Sequence, residues 1–357
     1  MCHLKIKRAF SFFVSIAFFC LILYAEAVAQ PGKLPGCGVD LSQTSVSGLS
    51  SGGFMATQFH VAYSSSLIGA GIIAGGPYFC SGSYSSSTYM ENATTTCMNP
   101  IGGIGPDSRK LIVKAREFAD KGWIDPLENL RSNKIYIFSG SNDNTVKTLV
   151  VDQTEKFYEL AGVPLEHIKY IKNIAAGHAI ITDNADDVPC RETKPPYIND
   201  CDFVQSGQIL THIYGPLNAP ANQLSGKIIT FDQSEFVDSD RASMSQAAYV
   251  YIPAACEQEP CRVHVAIHGC KQGAAVINKE YFTTTGYNEI ADTNHLIVLY
   301  PQVEPSASSP TNPEGCWDFW GYSSQNPDEP DFCKKDAPQM KAIWRMLERL
   351  AQPRQKI

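Results

Sequence analysis

Three side chains have the types and the setting for acyl-transfer chemistry: Ser50, Asp143 and His178. The first lies in Gly48-Leu49-Ser50-Ser51-Gly52, a G-x-S-x-G run. Small neighbours permit a strained strand-to-helix turn that lifts a serine hydroxyl out of the sheet, and the helix start favours negative charge beside it. A serine at its ordinary pKa is a weak nucleophile, so it needs a base, and the base needs an acid to orient it. Asp143 lies in Gly140-Ser141-Asn142-Asp143-Asn144-Thr145-Val146, directly after a strand-like run, at the sheet end where α/β proteins assemble their sites. His178 follows Gly177 in the loop after the next strand. The bland alternative is a Ser/Gly-rich turn with no chemistry, and the two partners argue against it. The other histidines fit the role less well. His60 lies within the helix after the serine, His167 starts a strand, and His212 and His295 fall in or beside helices; His264 alternates with core residues, which suits packing. Asp183, Asp186 and Asp187 are rival acids without a strand-end setting.

These groups are useful only if the chain positions them. Thr44 to Ser47 reads as a short strand and Phe54 to Ala62 as a helix. Leu67 to Ala74, Ile135 to Ser139 and Ile168 to Ile171 read as strands, separated by helical patterns at Lys110 to Lys121 and Val146 to Leu160. Such alternation means an α/β fold with a mainly parallel central sheet. After Tyr214 come paired strands at Lys227 to Phe231 and Ala247 to Ile252. Strands at Val263 to Ile267 and Leu296 to Tyr300 flank a helix around Tyr287 to Thr293, and Met340 to Leu350 is an amphipathic helix. The order serine, aspartate, histidine is that of α/β-hydrolases.

Acyl transfer also needs an oxyanion hole. One donor is the backbone N–H of Ser51, directly after the nucleophile. The other ordinarily comes from a His-Gly loop that precedes the serine. Here the matching segment, Val263 to Cys270, follows it. Circular permutation explains the reversal: residues 217–357, ordinarily first, follow a nucleophile, acid and base half at 37–216. Met340 to Leu350 is then the helix that would ordinarily feed the strand at Thr44. With no repeats and no long linker, a single catalytic domain over residues 30–357 is expected.

Composition narrows the setting. Of 357 residues, 44% are hydrophobic and 18% charged, which excludes disorder. The formal net charge of −7, without a basic run beyond the N-terminus, argues against nucleic acid as a partner. Lys5, Lys7 and Arg8 precede an apolar stretch, Ala9 to Tyr24, and small residues in A-x-A spacing, the pattern of a secretory signal peptide. Cleavage is expected after Ala29, leaving 328 residues with a net charge of −9. No other apolar run of about 18 residues exists, so no membrane association is expected after cleavage. Secretion is the expected fate, to the exterior, or to the periplasm of a bacterium. Cleavage removes Cys2 and Cys20 and leaves ten cysteines, an even number without zinc-type spacing. Short loops close most readily, which favours Cys80–Cys97, Cys190–Cys201 and Cys256–Cys261. Asn92-Ala93-Thr94 is a glycosylation sequon in a eukaryotic host. The chemistry needs neither metal nor organic cofactor, and the protein is expected to act as a monomer.

Five segments together carry a specific resemblance. They are Val46 to Gly53, Ala74-Gly75-Gly76-Pro77-Tyr78, Ile267-His268-Gly269-Cys270-Lys271-Gln272, Leu299-Tyr300-Pro301-Gln302 and Gly315-Cys316-Trp317-Asp318. In this order the chain resembles, over about residues 37–350, the secreted polyhydroxybutyrate depolymerases of the circularly permuted, single-domain kind. The resemblance implies a permuted α/β-hydrolase fold and hydrolysis of short-chain polyhydroxyalkanoate esters. It puts the nucleophile at Ser50, the acid at Asp143, the base at His178, and the oxyanion donors at the backbone of Ser51 and Cys270. It also implies a Cys270–Cys316 disulfide, leaving Cys37 and Cys333 to pair by elimination. In the fungal relative a further tryptophan follows the Trp-Asp and faces the substrate; here Phe319 stands there with Trp320 next. Trp317, Phe319 and Trp320 are therefore the expected aromatic contacts of a polyester or oligoester. No C-terminal adhesive module is seen, so adsorption is expected to use the catalytic domain's own apolar surface. Two other readings compete: a feruloyl or acetyl esterase of plant polysaccharide on the same fold, and a secreted binding protein on a hydrolase scaffold. The second would show a broken triad, and none is visible.

Overall fold

Strands covered on both faces need side chains that are apolar, or small and internally bonded, at every position. Leu67–Ile73, Lys134–Phe138, Arg262–Ile267 and Leu296–Tyr300 come close to that demand, and in the computed structural model of the chain they lie within one sheet. The structure describes residues 31–326 and 329–355, and the signal peptide expected over residues 1–29 lies outside them.

In chain order the elements are β1 (Thr44–Leu49), α1 (Ser51–Ala62), β2 (Leu67–Ile73), α2 (Tyr89–Thr94), α3 (Ser108–Asp120), β3 (Lys134–Phe138), α4 (Thr148–Ala161) and β4 (Ile168–Ile171). Three short strands follow, β5 (Ile180–Thr182), β6 (Val188–Pro189) and β7 (Ile198–Asp200), then α5 (Gln205–Tyr214), β8 (Lys227–Asp232), β9 (Ala247–Ile252) and β10 (Arg262–Ile267). The chain ends through α6 (Ala274–Ile277), α7 (Glu280–Thr284), α8 (Tyr287–Asp292), β11 (Leu296–Tyr300) and α9 (Pro338–Ala351).

The main sheet runs β4-β3-β2-β1-β10-β11-β9-β8. Six strands, β4 to β11 in that order, are parallel, and β9 and β8 close one edge antiparallel. This is the mainly parallel α/β class read from the sequence. The strand before Ser50 therefore pairs with β2 on one side and, with Ser45 opposite His264, with β10 on the other. Residues 37–216 and 217–357 thus share one sheet. Helix α9 also meets the start of β1: Cys37 N–H donates to Leu350 O and Gly38 N–H to Gln352 O, both at 2.9 Å. The helix end and the first strand are joined at the end of the sheet opposite the serine.

Four disulfides form: Cys80–Cys97, Cys190–Cys201, Cys256–Cys261 and Cys270–Cys316. The expected fifth does not. Cys37 and Cys333 are both free and buried. Cys37 bonds to the C-terminal end of α9, whereas Cys333 precedes its N-terminal end. A helix of 14 residues spans about 21 Å, and bridged Cα atoms must lie within about 7 Å. The sequon is not usable in the folded chain either, because Asn92 is buried and its Nδ2 donates to Tyr84 O at 2.8 Å. Among the described residues, no helix is long and apolar enough to cross a membrane.

Candidate active site

Ser50 follows β1 and stands at the N-cap position of α1 with φ 57° and ψ −124°, a backbone conformation that L side chains rarely adopt. The turn is held by close packing that only glycine allows. A Cβ on Gly48 would stand 2.2 Å from Gly52 O, and one on Gly52 would stand 2.4 Å from the carbonyls of Ile267 and His268. The end of β10 thus presses directly against the turn, and Ser50, 9% exposed, is presented at the helix N-terminus. Beneath it, Ser45 and Ser47 on one face of β1 hydrogen-bond the two ring nitrogens of His264 at 2.6 and 2.7 Å. Burial lowers the His264 pKa to about 3, so this imidazole is a neutral packing group.

Asp143 and His178, the expected acid and base, meet in space. Asp143 follows β3; its Oδ1 accepts from Thr145 N–H at 2.8 Å and Val146 N–H at 3.0 Å. Its Oδ2 accepts from His178 Nδ1 at 2.7 Å, and both side chains are buried. With Nδ1–H committed to the carboxylate, Nε2 carries the free lone pair. The rival Asp183 and Asp186 are exposed, and Asp187 is taken by Thr182 and Asn184. Ser50 and His178 open on one cavity of about 460 Å³, walled by Phe54, Met90, Met98 and Phe319 among others.

The loop after β10 reaches the same cavity through Gly269 and Cys270. A Cβ on Gly269 would lie 3.3 Å from Ser50 Cβ, so this loop touches the nucleophile. His268 orients it. Val303 N–H donates to His268 Nε2 at 3.2 Å, which leaves the proton on Nδ1, and Nδ1 donates to Gly269 O at 2.7 Å. Burial lowers the His268 pKa to about 4, so the ring stays neutral. Because a trans peptide is planar, fixing the Gly269 carbonyl also fixes the opposite direction of the Cys270 N–H. The Cys270–Cys316 bridge and the Lys271–Glu314 ion pair at 2.5 Å fasten the loop to residues 314–316. No described residue accepts from the backbone N–H of Ser51 or Cys270. Both donors suit an oxyanion.

The aromatic contacts divide. Phe319 and Trp320 line the cavity, with Phe319 stacked on Phe54 at 4.2 Å. Trp317 does not: it is fully buried, its ring packs against His268 at 5.6 Å, and its backbone N–H donates to Ser51 Oγ at 3.2 Å. It backs the His268–Cys270 loop and does not line the cavity. Reading by residue type also passed over Asp318, which shapes the aromatic loop. Its buried carboxylate accepts from the N–H groups of Trp320, Gly321, Tyr322 and Ser323 at 2.6–3.2 Å, and burial raises its pKa. One acidic residue set in an aromatic and glycine-rich run was the available signal. The walls from Met90 and Tyr197 come from disulfide-closed segments, and Met98 from directly beyond one; they left no periodic trace.

With this geometry in place, likeness to known proteins is informative. No family model matches the chain. It is 34% identical over 332 residues to the polyhydroxybutyrate depolymerase of Talaromyces funiculosus, covering 89% of this chain and 93% of that one. It is 43% identical over 325 residues to the poly(3-hydroxybutyrate) depolymerase of Delftia acidovorans, covering 89% of this chain but 62% of the relative's length. The crystal structure of PHB depolymerase from Penicillium funiculosum superposes with a TM-score of 0.81 at 33% identity, over 90% of this chain and 100% of that one. A serine-to-alanine PHB depolymerase complexed with an R3HB trimer matches with the same TM-score at 32% identity and the same coverage. The fold is accordingly α/β-hydrolase-like.

Proposed function

Because the chain belongs to the polyhydroxybutyrate depolymerase family, we propose that it is a serine esterase cleaving poly-3-hydroxybutyrate and its oligomers through an acyl-enzyme. One observation carries the reading. Ser50, the His178–Asp143 pair and the Cys270 loop come from three separate stretches of chain and converge on one largely apolar cavity. His178 Nε2 takes the Ser50 proton as Oγ attacks the ester carbonyl. The Ser51 and Cys270 N–H groups hold the tetrahedral oxyanion, each worth about 3–4 kcal/mol in comparable hydrolases. His178 returns the proton to the departing hydroxyl end of the polymer. Water, deprotonated by His178, then cleaves the acyl-enzyme and releases a carboxylic acid. Phe319 and Trp320 provide the apolar wall against which a short-chain hydroxyacyl unit packs.

The reading extends to the whole chain. The strand pairing of β1 with β10 supports a circularly permuted α/β-hydrolase forming a single catalytic domain over residues 30–357. The leader pattern before Ala29 and the four disulfides support secretion, since such bridges persist in oxidising compartments.

Product analysis on a hydroxybutyrate trimer and on methyl ferulate tests the proposal. Release of monomer and dimer from the trimer is expected. Hydrolysis of methyl ferulate alone overturns the polyester reading in favour of a carbohydrate esterase. Failure of a fluorophosphonate to label Ser50 overturns the catalytic reading in favour of a binding protein.

A further inference from the structure

Gln272 is fully buried, and every bond of its side-chain amide goes to backbone. Its Oε1 accepts from Gly269 N–H at 2.7 Å. Its Nε2 donates to Pro196 O at 2.9 Å and to Tyr197 O at 3.1 Å. The first partner belongs to the loop that carries the Cys270 N–H. The other two belong to the segment between Cys190 and Cys201, closed by their disulfide. That same segment supports the histidine. Gly177 N–H donates to Cys190 O at 2.8 Å, and His178 N–H donates to Thr193 Oγ1 at 2.9 Å. One side chain therefore joins the oxyanion loop to the segment that supports the base.

The two peptides flanking Gly269 are fixed from different directions. His268 and the Gln272 backbone N–H bind the Gly269 carbonyl, and the Gln272 side chain binds the Gly269 N–H. Given the contact between Gly269 and Ser50, a small rotation there moves the Cys270 N–H directly relative to the nucleophile.

We propose that Gln272 is a positioning residue that keeps the Cys270 N–H and His178 in mutual register, acting through Gly269 and the carbonyls of Pro196 and Tyr197. The proposal rests on the acyl-transfer reading of Ser50, Asp143 and His178. An apolar side chain at 272 leaves the buried Gly269 N–H and the half-buried Pro196 carbonyl without their partner, while Tyr197 O keeps the Ile180 N–H, and the loop must shift to satisfy the two groups. An oxyanion needs its donor within about 2.7–3.1 Å, whereas the ground-state ester makes no such demand, so the cost falls on kcat and not on KM.

Gln272→Met and Gln272→Glu, assayed on p-nitrophenyl butyrate, test this. Gln272→Met is expected to lower kcat about 10- to 100-fold, short of the roughly 10²–10³ for outright loss of an oxyanion donor. KM should stay within about threefold, and affinity for a trifluoromethyl ketone, whose serine adduct carries an oxyanion, should fall in parallel with kcat. Gln272→Glu keeps the shape and the acceptor, and only its protonated form can donate to a carbonyl. Its kcat relative to wild type should therefore decline as pH rises, and this variant decides the matter where the methionine variant does not fold. A Gln272→Met kcat within twofold of wild type overturns the proposal, as does a raised KM with unchanged kcat, which would make Gln272 a plain substrate contact. A ratio for Gln272→Glu that does not vary with pH overturns it as well. Wild-type protein inert toward the aryl ester overturns the esterase reading and this proposal together.

Discussion

Asp143→Asn isolates what the carboxylate does for His178. Two backbone donors, Thr145 N–H at 2.8 Å and Val146 N–H at 3.0 Å, demand an oxygen at the Oδ1 position. An asparagine must therefore place its oxygen there and its NH₂ where Oδ2 now accepts from His178 Nδ1 at 2.7 Å. Two donors cannot face each other, so the imidazole gives up the Nδ1 proton and keeps one on Nε2. A protonated Nε2 cannot accept the Ser50 proton. Where the same tautomer reversal has been made in a serine protease, kcat falls about 10⁴-fold, which corresponds to about 5 kcal/mol of transition-state stabilisation. Stability should change far less, by about 1–2 kcal/mol, because every hydrogen bond keeps a partner and only the charge assistance is lost. The assay is kcat on p-nitrophenyl butyrate and on a hydroxybutyrate trimer, beside a thermal melt. A kcat within tenfold of wild type, with the melt unchanged, would refute the reasoning and send the search for the acid to Asp183 or Asp186.

Thiol titration checks the cysteine assignment: mature protein should show two reactive thiols per chain in denaturant and none in native buffer, since burial raises Cys37 to about 11 and Cys333 to about 12. No thiol in denaturant would restore the bridge rejected above. Stability should also fall with acid. Burial holds His60 and His264 near about 3 and His268 near about 4, below the ordinary 6.5, so only the unfolded chain binds these protons as pH drops below about 6.5. Each contributes up to about 1.4 kcal/mol of lost stability per pH unit until its native pKa is reached, and the raised pKa of Asp318 works in the opposite direction. Urea unfolding at pH 7, 6 and 5 reads the slope; a flat profile refutes it.

The sequence made the sheet legible wherever a strand was long and apolar. Ile168–Ile171, Ala247–Ile252 and Leu296–Tyr300 stand where the pattern puts them; Leu296–Tyr300 is buried at every position, which leaves little choice of residue, and the half-buried Ile168–Ile171 and part-buried Ala247–Ile252 still carry enough apolar side chains to register. The convergence of Ser50, Asp143 and His178 was legible for a different reason: each of the three sits at a strand end or in the loop beyond one. What escaped notice is held together by tertiary contacts. The small sheet β5-β7-β6 consists of two- and three-residue strands tied by a disulfide, too short for any period to register. Cys37 and Cys333 were paired by parity, and parity carries no information about the length of α9 between them. Trp317 and Trp320 are near neighbours in one aromatic run, yet one supports the oxyanion loop and the other faces the cavity. Composition cannot separate those fates; the bonds Asp318 makes to its loop do.

The pairing of Ser45 with His264 spans 219 residues at the centre of the sheet. During synthesis, β1 to β4 emerge with the inner edge of β1 open, and that edge has no partner until β10 follows. Loop closure of this length is slow, and an open central strand invites association with other chains. The same delay keeps the nucleophile unarmed. Ser50 exists early, but the loop of Gly269 and Cys270 that packs against it arrives about 220 residues later, and its bridge to Cys316 closes later still. The site is complete only once the two halves zip along β1 and β10 and the Cys270–Cys316 bridge closes.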